Sequence, residues 1–275
     1  MPEGDAVWRT ARRLHGALAG EVLLGSDLRV ASLALTDLAG RTTLEVVPRG
    51  KHLLHRVEGG LTLHSHLRMD GSWRVLRISS HAVIPSHPAT RRHTVRAVLW
   101  TGEQLAVGDQ LGMLDLVETV HEDRLVGHLG PDLLDREFDR KLALANLVRD
   151  PHTPVAEALL DQRNLAGIGT IYASEPLFEH RVDPWTPVGQ LDHDVLGAVV
   201  DTARLWMVRS CRVSPTAGRT GGTPLPADGW LPGRYRVFGR DGRPCRRCGT
   251  PIQQGTVGAA PRARELRYCP VCQAP

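Results

Sequence analysis

The sequence predicts an α+β protein: an N-terminal antiparallel β-sandwich with flanking helices, then a helical C-terminal part that ends in a small cysteine-bearing β-hairpin. Three observations carry this reading. Between residues 41 and 120, short β-branched and apolar runs alternate with turn residues; beyond Gly130 the apolar spacing changes to that of helices; and two C-x-x-C pairs close the chain. At about 100–200 residues per domain, 275 residues suit more than one folded unit. The expected division is a sandwich over 1–130, a helical domain over 131–233 and a cysteine module over 234–275.

The elements follow in order. Val7, Ala11, Leu14 and Leu18 recur at helical spacing, with Arg9, Arg12 and Arg13 off the stripe, so a helix is expected over residues 5–18. Strands are expected over 41–47, 52–57, 61–67, 73–78, 94–100 and 114–120, with 79–92, rich in Ser, His and Pro, as an exposed loop. Many short strands without regular intervening helices read as an antiparallel sandwich. Helices are expected over 139–148, 154–162, 168–178 and 191–208, the second with Thr153 as its N-cap and Pro154 in its first turn. From Cys211 to Gly233 the glycines and prolines at 218, 221, 222, 224, 226, 229 and 232 forbid a regular element, which leaves a loop long enough to be functional.

Composition excludes several classes. The chain is 41% hydrophobic and 23% charged, so it is neither disordered nor collagen-like. No apolar run is long enough to span a bilayer, and Met1-Pro2-Glu3-Gly4-Asp5 lacks the pattern of a signal peptide, so a cytoplasmic protein without membrane contact is expected. Net charge is a modest +4, but from residue 231 onward nine arginines face only Asp241 and Glu265. Such a patch points to a polyanion, since the guanidinium fork binds phosphate oxygens in pairs.

Three constellations carry chemistry. Cys245 and Cys248, followed by Cys269 and Cys272, present four thiolates on two turns, the pattern of a tetrahedral zinc site. With every position filled by sulfur, that zinc is structural and one per chain; neither a catalytic metal nor an organic cofactor is expected. The remaining Cys211 reads as a small buried residue. The stretch from Leu160 to Ala173 contains Gly167-Ile168-Gly169-Thr170 between two helices, and glycines at a helix N-terminus suit a phosphate as well as helix packing. Finally, Met1 before Pro2 is a processing signal whose removal leaves a secondary amine. Free α-amino groups titrate near ~8, so that amine is a nucleophile near neutral pH, with Glu3 beside it to exchange protons. Only Lys51 and Lys141 are lysines in a chain that otherwise uses arginine, which singles out Lys51 in Arg49-Gly50-Lys51-His52. Of the thirteen histidines, His52, His55, His64 and His66 read as packing or hydrogen-bonding residues rather than metal ligands.

Together, the opening MPEG, the RGK-x-LL hairpin, LLDQ-x3-AGIG-x-IYASE and the closing YCPVCQ resemble the formamidopyrimidine-DNA glycosylase and endonuclease VIII family, and the motifs span Pro2 to Gln273. The resemblance implies a helix-two-turn-helix domain, a zinc finger and a bifunctional DNA glycosylase and abasic-site lyase of base excision repair. It further implies a monomer acting on damaged double-stranded DNA, nucleoid-associated. By motif position, Pro2 matches the Schiff-base nucleophile, Glu3 the acid that protonates the sugar, Lys51 the lysine that assists base release and β-elimination, and Arg264 the finger arginine that grips phosphates. DNA contacts are implied for Gly167, Gly169 and Thr170, the last in place of the usual Asn, and for His128, which stands where an Arg is often found. Met69 is implied as the wedge that fills the void left by a flipped base, beside Arg68. Gln110-Leu111 replaces an Arg-Phe pair, and an acid stands at Asp5 rather than at position 6, where this chain has Ala6.

MPEG, Trp73-Arg74-Val75 and Phe238-Gly239-Arg240-Asp241-Gly242 resemble the endonuclease VIII branch, implying oxidised pyrimidines such as thymine glycol and 5-hydroxyuracil; Met69 resembles the branch that acts on 8-oxoguanine and formamidopyrimidines. A silent binder of damaged DNA is the remaining alternative, and the loop over 211–233 is expected to close over the extruded base.

Overall fold

The computed structural model describes residues 2–79, 84, 87–212, 230, 233–260 and 263–274. The chain falls into two compact units, residues 1–128 and 129–275.

The first unit opens with α1 (Gly4–Leu18), one residue longer at its start than its apolar stripe predicts. Two four-stranded antiparallel sheets follow. One runs β1 (Gly25–Leu28), β6 (Val95–Trp100), β7 (Gln104–Asp109), β5 (Ser72–Arg77); the other runs β2 (Thr43–Arg49), β3 (His52–Val57), β4 (Leu61–His66), β8 (Met113–Glu118). Both sheets and the helix share one core: Val7, Ala11, Leu14 and Leu18 of α1 pack with Val46, Leu53 and Leu63 of the second sheet and Trp73, Ala97, Leu99 and Ala106 of the first. Period-two alternation places those residues inward and leaves their neighbours on the opposite faces. A smaller cluster of Ile84, Val95, Val98, Leu105 and Val107 covers the far face of the first sheet.

β1 and β7 escape sequence reading. β1 has only four residues, two of them polar, and β7 follows β6 after a turn of only three residues. A short helix, α2 (Asp123–Val126), ends this unit, held by Arg56, whose guanidinium donates to both oxygens of Glu122 at 2.8 and 2.6 Å.

The second unit is helical: α3 (Arg140–Leu147), α4 (Val155–Leu160), α5 (Thr170–Glu179) and α6 (His193–Arg212), with the hairpin β9 (Gln253–Val257) and β10 (Arg264–Tyr268). Asp139 caps α3 by accepting from Leu142 N at 2.8 Å. The expected cap of α4 is displaced by one residue, because Pro154 occupies the N-cap with extended backbone while the Thr153 hydroxyl turns back to Asp150. Cys211 is the penultimate residue of α6 and half-buried, so the helix runs on through the position where its end is expected from composition. The lesion-loop expectation for residues 213–229 lies outside the described residues. Leu144, Leu159, Ile168, Tyr172, Val199 and Trp206 form the core, and Val257 and Leu266 of the hairpin enter it. Phe178 of α5 joins Val237, Cys245, Ile252 and Cys269 in a second cluster.

One carboxylate joins the hairpin module to the helices. Glu175 on α5 is fully buried and accepts from three consecutive backbone N–H groups, Arg236 at 2.9 Å, Val237 at 2.8 Å and Phe238 at 2.9 Å. Burial pushes its carboxyl up, opposed by these three donors. Glu175→Ala strands all three donors at about 1–3 kcal/mol each, so a loss of roughly 3 kcal/mol or more in denaturant unfolding is expected, with residues 234–274 the first to become protease-sensitive.

Candidate functional site

In the first unit α1 begins within four residues of the chain start, and this fixes Pro2 and Glu3. Pro2 is half-buried; Glu3 occupies the N-cap, is only 2% exposed, and its carbonyl accepts from Ala6 and Val7 at 2.9 and 3.1 Å. An amine on residue 2 would stand at the positive end of a 15-residue helix, where a cation is disfavoured and the neutral nucleophile favoured. Asp5, in the first turn, is bound by Arg9 at 3.0 Å.

Lys51 sits at the turn joining β2 to β3, and the sheet face beyond it is rich in imidazoles. His52 pairs across the ladder with Arg49 on one side and His66 on the other, and His64 pairs with Asp115. Directly paired residues share a face, so strand register assembles Arg49, His52, His64, His66 and Asp115 opposite the core side. His52 Nδ1 lies 2.8 Å from His64 Nε2, and His64 Nδ1 lies 3.1 Å from Asp115 Oδ2. The His66 and His128 rings lie 5.0 and 6.3 Å from that of His52, edge-on. Burial, then the neighbouring imidazoles and Lys51, hold His52 down to about 3; burial and Lys51 hold His66 down to about 4; burial lowers His64 against the pull of Asp115. His55 faces the core side with Thr43 Oγ1 at 2.9 Å, and burial holds it down to about 4. The reading of these histidines as packing and hydrogen-bonding residues stands.

The Leu67–Gly71 loop closes with Gly71 N donating to Leu67 O at 2.9 Å, and Arg68 adopts a left-handed φ of 50°. A Cβ at residue 71 would lie 2.3 Å from Leu67 O, so only glycine fits. Met69 stands at the tip, 61% exposed, and Arg68 is exposed beside it. Leu111 is buried in the sandwich core and Gln110 exposed, so of that pair only Gln110 is presented outward. His128 is exposed at the end of the unit.

In the second unit the Gly-x-Gly turn is organised by a side chain that sequence reading passed over. Gln162 donates from Nε2 to Leu160 O and Ile168 O, both at 3.0 Å, and accepts Gly167 N–H on Oε1 at 3.1 Å. Its position before the glycines in LLDQ was the available signal. The Gly167 amide is therefore occupied, and the role of Gly167 is conformational, at φ 93°. Gly169 is the N-cap of α5, and half-buried Thr170 opens the helix. Gly130 lies against this turn, where a Cβ would sit 2.6 Å from Arg163 O.

At the other end of the unit, the four cysteine sulfurs lie within 4.8 Å of one another, with Cys248–Cys269 at 3.4 Å and Cys245–Cys272 at 3.9 Å. A tetrahedron with metal–sulfur bonds of about 2.3 Å has edges of about 3.8 Å, so the donor set fits a single tetrahedral ion. Backbone N–H groups of Arg247 and Cys272 point at Cys245 and Cys269 sulfurs, both at 3.4 Å. Arg264, first in β10, is exposed. The basic patch is narrower than composition suggests: Arg236 and Arg247 pair with Glu179, and Arg267 with Asp241 at 2.9 Å. No helix among the described residues is long and apolar enough to cross a membrane.

Comparison with known proteins gives a consistent picture. The family model for the formamidopyrimidine-DNA glycosylase N-terminal domain matches residues 1–114, and that for the H2TH domain matches residues 129–219. A Streptomyces coelicolor protein named probable endonuclease 8 2 is 50% identical over all of this chain and 94% of its own length. A Mycolicibacterium smegmatis protein named DNA-(apurinic or apyrimidinic site) lyase Nei2 is 41% identical over 99% of both chains. A Lactococcus lactis formamidopyrimidine-DNA glycosylase variant, solved with DNA containing Fapy-dG, superposes with a TM-score of 0.80 at 26% identity, over 100% of both chains.

The buried histidines make the first unit acid-sensitive. His52, His55 and His66 have folded values below the unfolded value of ~6.5, so the unfolded chain takes up protons first as pH falls. Stability is complete above about pH 6.5 and is lost progressively toward the folded values of about 3 to 4. Denaturant unfolding at pH 7.5 and 4.5 is expected to show a lower midpoint in acid, and an unchanged midpoint would contradict it.

Proposed function

The chain belongs to the formamidopyrimidine-DNA glycosylase and endonuclease 8 family of DNA-repair glycosylase-lyases, and on that premise we propose that it removes oxidised pyrimidines from double-stranded DNA through a Schiff base at Pro2. The observation that carries the mechanism is the placement of Pro2 and buried Glu3 at the head of α1, within the unit that also presents Lys51. The pyrimidine reading is supported by the two relatives named endonuclease 8 or Nei2 and by the MPEG opening. Exposed Met69 favours the second reading, excision of 8-oxoguanine and formamidopyrimidines.

In this mechanism the Pro2 amine attacks C1′ as the C1′–N bond to the damaged base breaks, and the base leaves with that electron pair and a proton. The joined amine then loses its proton and the C1′–O4′ bond breaks, with O4′ taking a proton from Glu3; a secondary amine so joined can form only a cationic iminium, a strong electron sink. It acidifies C2′; loss of that proton gives an enamine, whose electron pair returns through C2′–C3′ to expel the 3′ phosphate and restore the iminium, and a second elimination, on loss of the C4′ proton, expels the 5′ phosphate. Glu3 donates to the sugar, Lys51 moves protons at base release and elimination, and Arg264 balances phosphate charge. Thr170, with Gly167 and Gly169 shaping the turn, and His128, Arg68 and Met69 contact the duplex. Cys245, Cys248, Cys269 and Cys272 hold one zinc ion, which fixes the hairpin that carries Arg264 and takes no part in the chemistry. The protein acts as a monomer in the cytoplasm.

Three experiments test this. With protein shown by mass to begin at Pro2, borohydride is expected to trap a covalent adduct on duplexes carrying an abasic site or 5-hydroxyuracil, and Pro2→Gly to abolish it. Glu3→Gln is expected to slow 5-hydroxyuracil excision by about 10²–10⁴-fold while sparing cleavage at a preformed abasic site; an adduct formed best on 8-oxoguanine would move the protein to the second reading. Removal of metal with a chelator is expected to release one zinc per chain and weaken DNA binding, because the hairpin loses its folding energy; Cys248→Ser is expected to do the same, measured by metal analysis and binding anisotropy.

A further inference from the structure

The histidine face contains a continuous chain with a fixed direction. Asp115 accepts from His64 Nδ1, so neutral His64 carries its hydrogen there and offers a lone pair on Nε2. That lone pair must accept from His52 Nδ1, 2.8 Å away, which leaves the Nε2 of His52 as a bare acceptor. Among the described residues that nitrogen has no hydrogen-bond partner. His66 is different: its Nδ1 accepts from Arg68 N–H at 2.9 Å, so its Nε2 carries a hydrogen and cannot take another while the ring is neutral. Three features make the chain directional. Its inner end follows Lys51 in sequence, its middle member His64 is 0% exposed, and its outer end, Asp115, is 45% exposed.

We propose that His52, His64 and Asp115 form a proton relay that carries protons between Lys51 and solvent during the lyase reaction, with His64 and Asp115 as positioning residues for His52. This rests on the function proposed above. A proton taken up at His52 Nε2 releases the Nδ1 proton to His64 Nε2; the His64 Nδ1 proton passes to Asp115 Oδ2 and leaves to solvent. Each heavy atom that gains a hydrogen is matched by one that loses it, no charge stays in the buried chain, and the reverse transfer resets both rings.

The surroundings suit this. Lys51, His66, His128 and His64 all disfavour a lasting positive charge on His52, and Arg68 adds to the same effect at His66. Arg49, opposite His52 on β2, is a further cation on this face. Asp115 on β8 is the one acid that raises a histidine of the group. A proton therefore passes through the chain rather than resting in it. Excision and elimination each need a proton moved, and a relay gives half-buried Lys51 a path for that proton through the sheet face.

The test uses the full chain and a duplex with a preformed abasic site, read as single-turnover strand cleavage across pH 5–9 together with DNA affinity. His52→Ala is expected to slow cleavage about 10–100-fold with affinity unchanged, and added imidazole to restore much of the loss. His52→Gln can still donate to His64 but cannot pass a proton on, so it is expected to be as slow as alanine. Asp115→Asn is expected to be slow, and the double variant with His52→Ala no slower than His52→Ala alone. Wild-type rates in His52→Ala, full activity in His52→Gln, a loss confined to affinity, or no response to imidazole would each overturn the relay. A wild-type protein that cleaves no abasic DNA would instead overturn the function on which the relay rests.

Discussion

A single buried carboxylate governs the second unit. Glu175 brings the start of the cysteine module, residues 236–238, to the side of α5 by accepting three successive backbone N–H groups. A segment of about 40 residues buries too little surface to fold alone, and this one borrows a core: Phe178 packs with Cys245 and Cys269, while Val257 and Leu266 pack among the helices. Arg247 reinforces the seam, its guanidinium 4.5 Å over the Phe178 ring and donating to that residue's carbonyl. The exposed Arg264 is thus carried by a hairpin fixed at two places, the sulfur cluster and the Glu175 clamp. The same α5 begins at Gly169-Thr170, so one helix links the turn that suits phosphate to the hairpin that presents arginine.

The first unit solves a different problem, which is to gather proton-exchanging groups without gathering charge. Three histidines on one sheet face, with a lysine at the adjoining turn, would repel one another if all were cationic. Burial holds the imidazoles neutral, and one half-exposed carboxylate orients two of them. Helix α1 contributes in the same sense, since its positive end disfavours a cation at residue 2. Burial thus keeps the imidazoles unprotonated, and the helix dipole would act in the same sense on an amine at residue 2.

How much of this was legible depends on what each feature is made of. Local patterns were read well: the apolar stripe of α1, β3 at both its ends, Asp139 opening α3, and the two C-x-x-C turns whose sulfurs converge within 4.8 Å. Features set by pairing were not. β1 is recognisable only by its partner β6, and Glu175 reads as one more helical acid until residues 236–238 arrive beside it. The histidines show the boundary. Their i, i+2 spacing in His64-Ser65-His66 already places two rings on one face, but the chain to Asp115 and His52 depends on the registers of β3, β4 and β8, which no window of sequence contains. The arginine-rich tail errs the other way: its composition is plain, but Glu179, which neutralises Arg236 and Arg247, lies on α5, outside that tail.

The choice of lysine at position 51 follows from these constraints. Elsewhere this chain meets almost every need for a cation with arginine, whose guanidinium stays protonated and binds oxygens in fixed pairs, as Arg56 binds Glu122 and Arg140 binds Asp201. An arginine at the β2–β3 turn would be a permanent charge beside His52 and His66 and could neither give nor take a proton. A lysine there can do both, and its neighbours are arranged so that its proton is the one that moves: His66 is tied to the Arg68 amide, His64 is tied to Asp115, and His52, the next residue along, presents a lone pair. The residue that departs from the chain's own habit is the one whose surroundings require it to depart.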